Sequence, residues 1–268
     1  MKKAFAIILC FSLLATSRAQ QPDSLKQVAT IQGNIIDFTV DNLGNIYIIN
    51  RNNQLKKINL KGDSLGIFND LRQYGKVYSI DATNPLKLLL FYKDYGNIVM
   101  LDRFLNVRNT IQLRKGNIFQ VSAISQAYDN GIWIYDEQAA RLKRMNDEGG
   151  IIDQSADFRL FMDAVPSPLF IVDQDRLVYL YDPEKGLYIF DYFGTLRNKV
   201  ALLGWEDFQV QGGKVFGRRK TTIEQYIPGT ITLKERVLDS ALSGVVKMKV
   251  TLNNLYCLKD GVIKVYAY

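Results

Sequence analysis

The chain has 268 residues, of which 47% are hydrophobic and 23% are charged, and its net charge at pH 7 is +7. This composition is typical of a globular protein with a hydrophobic core, in one domain or two. The chain contains no histidine, which excludes Ser-His-Asp and Cys-His catalysis, zinc sites that use histidine, and haem held by histidine.

The first 20 residues, MKKAFAIILCFSLLATSRAQ, differ from the rest of the chain. Two lysines precede an apolar run over residues 4–15, which is too short to span a bilayer. Ser17-Arg18-Ala19 then places small residues at the two positions that a signal peptidase reads. We therefore predict that residues 1–19 are a secretory signal peptide, removed by cleavage after Ala19.

Cleavage would leave a single predicted domain over residues 20–268. Its net charge falls from +7 to +4, because Lys2, Lys3 and Arg18 are lost with the signal. So small a surplus in a secreted protein argues against nucleic acid as a partner. Cys257 is the one cysteine left, so no internal disulfide can form. No later apolar run approaches the length of a membrane helix. The predicted signal peptide places the protein in the periplasm or in association with the outer membrane.

A unit of short strands and turns recurs along the rest of the chain. Its first copy, DNLGNIYIINRNNQLKKINLKGD over residues 41–63, alternates turns and strands. The first strands of comparable units begin near Ile46, Leu88, Ile132, Leu177, Val215 and Leu255. A period near 40 residues with several short strands in each unit indicates a β-propeller.

One further strand is predicted ahead of each unit. These strands cover residues 35–40, 77–82, 118–124, 160–165, 207–211 and 245–252. Each blade then has four antiparallel strands, and the predicted fold is an all-β, six-bladed propeller. The last unit lacks one strand because the chain stops at Tyr268, whereas Ser24 to Ile31 is a spare strand near the other end. Since an open ring would leave an exposed sheet edge, we expect this N-terminal strand to become the outer strand of the sixth blade.

The residues of the first turn and strand carry a family resemblance. Asp41, Gly44, Asn45, Ile46 and Tyr47 match the D-x-x-G-N-I/L-Y-V pattern of NHL and related propellers, so the chain resembles that superfamily. The later units keep the strand rhythm but lose the aspartate. The chain also looks like the secreted propellers of Gram-negative bacteria related to Bacteroides. This resemblance implies the six-bladed fold, but that fold hosts scaffolds, lyases, hydrolases and quinone enzymes, so it does not select a function.

Few chemical motifs remain after this search. The chain has no phosphate-binding, dinucleotide-binding or calcium-loop motif, and no cofactor is predicted. Paired carboxylates at Asp173 and Asp175 could hold a divalent cation or hydrolyse a glycoside, although solvated turn residues are the favoured interpretation. Cys257 is predicted to be a small buried side chain rather than a nucleophile. Trp205 is predicted to lie in the core.

The turns between the second and third strands share one face of the predicted propeller, where loops on a rigid scaffold commonly bind partners. The turns of blades three and four are acidic and that of blade five is basic, whereas blade two contributes an aromatic residue. We expect an exposed binding face formed by Arg218, Arg219, Lys220, Tyr95, Asp136, Glu137, Asp182 and Glu184.

Two functions from different classes fit this pattern. The favoured one is a secreted, non-catalytic scaffold or subunit that binds an envelope protein or a cell-surface component. The alternative is a metal-assisted hydrolase or lactonase with a divalent ion in the central channel. That alternative requires oxygen ligands to converge at the channel mouth, and the candidates are Asn34, Asp37, Asp163, Glu206 and Asp207.

The predicted cleavage can be tested directly. The protein isolated from its native host is expected to begin at Gln20, because Ala19 completes the peptidase site. N-terminal sequencing that returned Met1 would show that the first residues are not a cleaved signal.

Overall fold

The structure, a computed structural model, describes residues 25–268. The predicted signal peptide and the expected start at Gln20 lie outside the described residues. Within residues 25–268 the chain forms 24 strands, arranged as six antiparallel sheets of four strands each. The predicted six-bladed propeller is therefore confirmed. No helix among these residues has the length and apolar character needed to cross a membrane.

The first three blades follow one another along the chain. Blade 1 contains β2 (Ile35–Val40), β3 (Ile46–Asn50), β4 (Leu55–Ile58) and β5 (Ser64–Phe68). Blade 2 contains β6 (Ser79–Asn84), β7 (Lys87–Tyr92), β8 (Asn97–Asp102) and β9 (Val107–Gln112). Blade 3 contains β10 (Val121–Gln126), β11 (Ile132–Asp136), β12 (Arg141–Met145) and β13 (Ile151–Gln154).

The last three blades complete the ring. Blade 4 contains β14 (Phe170–Gln174), β15 (Leu177–Asp182), β16 (Gly186–Asp191) and β17 (Leu196–Val200). Blade 5 contains β18 (Glu206–Gln211), β19 (Lys214–Arg219), β20 (Thr222–Tyr226) and β21 (Leu233–Val237). Blade 6 contains β22 (Lys247–Val250), β23 (Asn254–Lys259), β24 (Val262–Ala267) and β1 (Gln27–Ile31). Short helical turns lie in the connections between blades, at Asp70–Tyr74, Leu113–Gly116, Phe158–Leu160 and Asp239–Leu242.

The N-terminal strand closes the ring, as predicted. β1 pairs with β24, and Ile31 lies opposite Ile263 in the register. The innermost strands also contact one another around the whole ring, including β22 with β2. Within the described residues this strand begins at Gln27, and Ser24, where the predicted strand starts, lies outside them.

The core of the protein lies between the blades. Six clusters of buried hydrophobic residues occupy the six interfaces between neighbouring sheets. Where a second or third strand is covered on both faces it reads as a nearly continuous apolar run: every residue of β7 and of β16 is buried. The outer strands have one open side, and β21 has the sequence LKERV.

One predicted strand is wrong. Residues 160–165 lie in the connection between blades 3 and 4, where Leu160 ends a short helical turn. The innermost strand of blade 4 is β14, which forms a tight hairpin with β15 through Asp175 and Arg176, both at positive φ. Two central residues at positive φ give the turn whose twist matches that of the flanking strands. The other five predicted inner strands overlap the observed ones.

The turn chemistry repeats more widely than the first motif indicated. Asp41 Oδ1 accepts hydrogen bonds from the N–H groups of Leu43 and Asn45, at 2.9 and 2.8 Å. The same pair of bonds, to the second and fourth residues onward, stabilises the turn between the third and fourth strands of blades 1 to 4. Those acceptors are Asn59, Asp102, Asn146 and Asp191. In the later blades the turn between the first and second strands lacks an aspartate equivalent to Asp41. The same side-chain cap is found instead in the turn between the third and fourth strands.

The closing strand offers a matched pair of substitutions. Ile31 is 5% exposed and packs between blades 6 and 1, whereas Val28 of the same strand is 46% exposed. Ile31→Ala should lower the free energy of unfolding by about 2–5 kcal/mol, because it leaves a cavity at the seam. Val28→Ala should change it by less than about 0.5 kcal/mol. Equal effects in urea unfolding would show that the strand does not close the ring.

Candidate partner-binding face

The two ends of the propeller differ in what they display. The upper face carries the connections between blades and the turns between second and third strands. The lower face carries the turns between first and second strands and between third and fourth strands. Every innermost strand begins at the upper face, so this face also surrounds one mouth of the central channel. All eight residues predicted to bind a partner belong to the upper face.

Two of the predicted acidic residues are buried rather than exposed. Asp136 and Asp182 are each 3% exposed. Asp136 forms an ion pair with Lys143 at 2.7 Å. Asp182 accepts hydrogen bonds from the N–H groups of Glu184 and Ser167, both at 2.8 Å. These carboxylates end the second strands of their blades and hold the adjoining loops, so the expectation that they are exposed is wrong.

Arg218 is also buried, at 4% exposure, and the basic sector is smaller than predicted. It lies within β19, where its guanidinium pairs with Glu206 and Asp207 at 2.6 Å each. Burial raises the pKa of Asp207, while Arg218 opposes that rise. The arginine therefore neutralises a buried carboxylate instead of facing a partner.

The remaining predicted residues do reach the surface. Arg219 and Lys220 are exposed, and Arg219 also pairs with Glu224 at 3.1 Å. Glu184 is exposed, and Glu137 is partly buried and accepts a hydrogen bond from the hydroxyl of Ser167. Tyr95 is 59% exposed, and its ring lies over Gly75, where a side chain would collide with it.

Trp205 lies in the core, as predicted, and fixes the connection into blade 5. It is 1% exposed, and its indole N–H donates to Glu224 at 2.7 Å. Its backbone N–H donates to the Tyr181 hydroxyl at 2.6 Å. Gly217 lies against the indole, and a Cβ there would come within 2.2 Å of the ring. The strand must therefore have glycine at this position.

Sequence reasoning missed the most regular feature of the upper face. Each blade presents one large apolar side chain at or just before the start of its innermost strand, and each is 42–68% exposed. We call this set the apolar ring: Ile36, Tyr78, Phe119, Leu169, Leu203 and Val246. The sequence carries a signal for this feature, an apolar residue at or just ahead of each inner strand. In blades 1, 2, 3 and 6 the predicted strand includes that residue, so its exposure is not anticipated.

The backbone shows that several ring positions are equivalent. The N–H groups of Tyr78, Leu169 and Val246 donate to the carbonyl of the penultimate residue of the second strand in the same blade, at 2.7, 2.9 and 2.9 Å. Tyr78 is held further by an edge-on contact with Phe91 and by the ammonium of Lys93 over its ring. These side chains are thus attached to rigid sheet ends rather than to long loops.

The channel mouth inside the ring does not gather metal ligands. Asp37 pairs with Lys247, and Glu206 and Asp207 both pair with Arg218. Asp163 is exposed in a connection, away from the inner strands. Among residues 25–268 no group of three or more Asp, Glu, Cys or His side chains is placed to hold a metal ion. The donor set therefore does not fit the metal-assisted hydrolase alternative.

Comparison with known proteins supports the architecture. No protein-family model and no curated protein matches the chain. A streptogramin B lyase is similar with a TM-score of 0.62 at 11% identity, covering 91% of this chain and 86% of that one. A virginiamycin B lyase from Staphylococcus aureus gives 0.61 at 13% identity, covering 87% and 80%.

A third solved structure is similar over a comparable length. The WD40 propeller domain of Doa1 gives a TM-score of 0.58 at 10% identity, covering 90% of this chain and 78% of that one. At such identities the likeness shows the propeller fold alone. The resemblance to NHL propellers and to secreted Bacteroides-type proteins stays a prediction.

The buried position of Arg218 generates a stability prediction. Arg218→Ala should lower the free energy of unfolding by about 3–5 kcal/mol, because Asp207 is left as an unpaired buried charge. Without the arginine the pKa of Asp207 rises further above 3.8, so the loss should be smaller in acid and grow as pH rises above the ordinary carboxyl range. Urea unfolding at several pH values measures both effects.

Lys220→Ala is the matched control. Lys220 lies two residues after Arg218, is exposed, and has a positive φ. Lysine and alanine are strained to the same extent at that φ, so the substitution should change the free energy of unfolding by less than about 0.5 kcal/mol. A loss for Arg218→Ala that is equally small and independent of pH would contradict the structural role.

Proposed function

We propose that this protein is a secreted, non-catalytic scaffold of the bacterial cell envelope, which docks a partner protein on its upper face. The observation that carries this proposal is the apolar ring, with one exposed large side chain from each of the six blades. Large exposed apolar side chains that share one face with polar residues mark a candidate interaction surface.

The geometry of the ring favours a protein partner. Its members stand at the ends of packed strands, so little conformational entropy is lost when they are covered. Tyr78 and Phe119 supply aromatic area of the kind that is enriched at binding hot spots. Arg219, Lys220 and Glu184 lie outside the ring and supply rim charges, which raise association rates and orient the partner. We therefore keep Arg219, Lys220 and Glu184 in the proposed binding face and assign Asp136, Asp182 and Arg218 to the stability of the fold.

Two features of the chain support a role without catalysis. The sequence has no histidine, and the carboxylates at the channel mouth are engaged by Lys247 and Arg218. The envelope setting is supported by the signal-like pattern of residues 1–19. A partner there would be an envelope protein or a cell-surface component.

The proposal is tested by two phenylalanines on opposite faces. Phe119 of the ring is 54% exposed and Phe104 of the lower face is 57% exposed. Phe119→Ser combined with Tyr78→Ser should weaken partner binding by roughly 30-fold, the equivalent of about 2 kcal/mol at a hot spot. The measurement is affinity capture from a detergent extract of the native envelope, followed by mass spectrometry and titration with the captured partner.

Phe104→Ser is the control, because it replaces a phenylalanine that is as exposed as Phe119 but lies on the lower face. This variant should capture the partner at wild-type yield. Capture that is lost in both variants, or in neither, would show that the upper face is not the docking site.

A further inference from the structure

The lower face carries a second set of exposed apolar residues, and these lie at the tips of turns. Each blade contributes at least one large side chain that is 57–104% exposed. We call this set the apolar tips: Leu43, Phe104, Tyr128, Phe193, Ile231 and Leu252. Four of the five most exposed large hydrophobic residues among those described belong to it. Their concentration at the turns of one face, with one in every blade, makes this face a candidate interaction surface.

The tips are held in place by the turn chemistry of this face. Asp41, Asp102 and Asp191 each accept the N–H of the residue two positions onward, and those residues are the tips of blades 1, 2 and 4. The side-chain caps therefore fix the backbone at the point where each tip projects. A set of separate projecting tips on one end of a rigid cylinder fits a flat, yielding surface better than the complementary relief of a folded protein.

Charge supports the same conclusion. Exposed cations lie on the lower face of five of the six blades and outnumber the exposed carboxylates in the same turns. The cations are Lys26, Lys61, Arg103, Arg176 and Lys214, and the carboxylates are Asp63, Asp129, Glu148 and Asp175. The guanidinium of Arg103 lies over the ring of Phe104, 4.5 Å from its centre. Apolar side chains flanked by lysine and arginine are the pattern of proteins that lie in the interface of an anionic bilayer, with the cations at the headgroups.

We propose that the lower face binds the surface of an anionic lipid bilayer, with the apolar tips inserted to the depth of the headgroup and acyl boundary. The upper face then remains turned away from the membrane. This inference does not depend on the protein partner of the upper face, and either can fail without the other.

Vesicle binding tests the proposal. The purified protein, produced with its own leader, should cosediment with vesicles of phosphatidylethanolamine and phosphatidylglycerol. Phe193→Ser combined with Ile231→Ser should reduce partitioning about tenfold or more, because two inserted side chains are lost. Leu160→Ser with Phe161→Ser removes two exposed apolar residues of the upper face, at 80% and 46% exposure, and should leave partitioning unchanged.

The cations are tested separately. Lys61→Glu with Arg103→Glu should weaken binding to these vesicles at low salt and have little effect on vesicles of phosphatidylcholine alone. Wild-type protein that fails to bind anionic vesicles, or binding that is insensitive to the tip substitutions, would overturn the proposal.

A fluorescence measurement gives the orientation. Both natural tryptophans, Trp133 and Trp205, are buried, so an added indole reports on its own surroundings. Phe193→Trp should shift to shorter wavelength on vesicles and be quenched by brominated acyl chains, whereas Phe119→Trp should not. Quenching of Phe119→Trp alone would show that the upper face contacts the bilayer and would contradict the proposal for the lower face.

Discussion

Closure of the ring is the constraint on which the rest of this protein depends. Each blade is a twisted four-stranded sheet that can bury its two faces only against its neighbours, and the six hydrophobic clusters are these shared interfaces. If one interface opened, two sheets would expose their buried faces at once. Pairing of β1 with β24 places Ile31 in the cluster between blades 6 and 1. With no disulfide among the described residues, this non-covalent seam alone joins the chain ends.

Charge burial at the upper face is a consequence of the same architecture. The residues at the ends of the second strands of blades 3, 4 and 5 are largely covered by the protein, and Asp136, Asp182 and Arg218 there are buried. Asp182 and Arg218 are paired or hydrogen-bonded because an unpartnered charge in such a position would cost several kcal/mol. Asp136, Asp182 and Arg218 are therefore internal, although the sequence places them in a charged surface, whereas Glu184, Arg219 and Lys220 remain exposed.

The two faces of the propeller suit different kinds of surface. The apolar ring lies at strand ends around the channel mouth, flanked by the connections between blades, and is the surface proposed to contact a folded partner. The apolar tips project from turns and are accompanied by cations. On the two proposals made above, the protein would hold a partner at a fixed distance from a lipid surface. The packed blades would keep the distance between the two faces constant.

The sequence by itself determined the fold, because the propeller rhythm is local. Alternating strands, turn residues and the period near 40 residues are readable without knowing which segments meet, and the missing strand of the last blade identified Ser24 to Ile31 as its partner. The inner strand of blade 4 escaped this reading, since residues 160–165 are as apolar as a strand. Only the hairpin turn at Asp175 and Arg176 selects β14 instead.

The candidate site was decided by the tertiary structure. Whether Arg218 or Phe119 faces solvent depends on how neighbouring blades cover each strand end, and no local pattern contains that information. Arg218 is the penultimate residue of β19, just ahead of a turn where exposed residues are common, yet it pairs with Asp207 of the adjacent strand in the interior. Phe119 has the hydrophobicity of a core residue, yet lies outside the interfaces because its blade begins there. Burial depends on contacts between segments that are distant in the sequence. Which side chains are exposed on each face is therefore decided by the closed ring of blades.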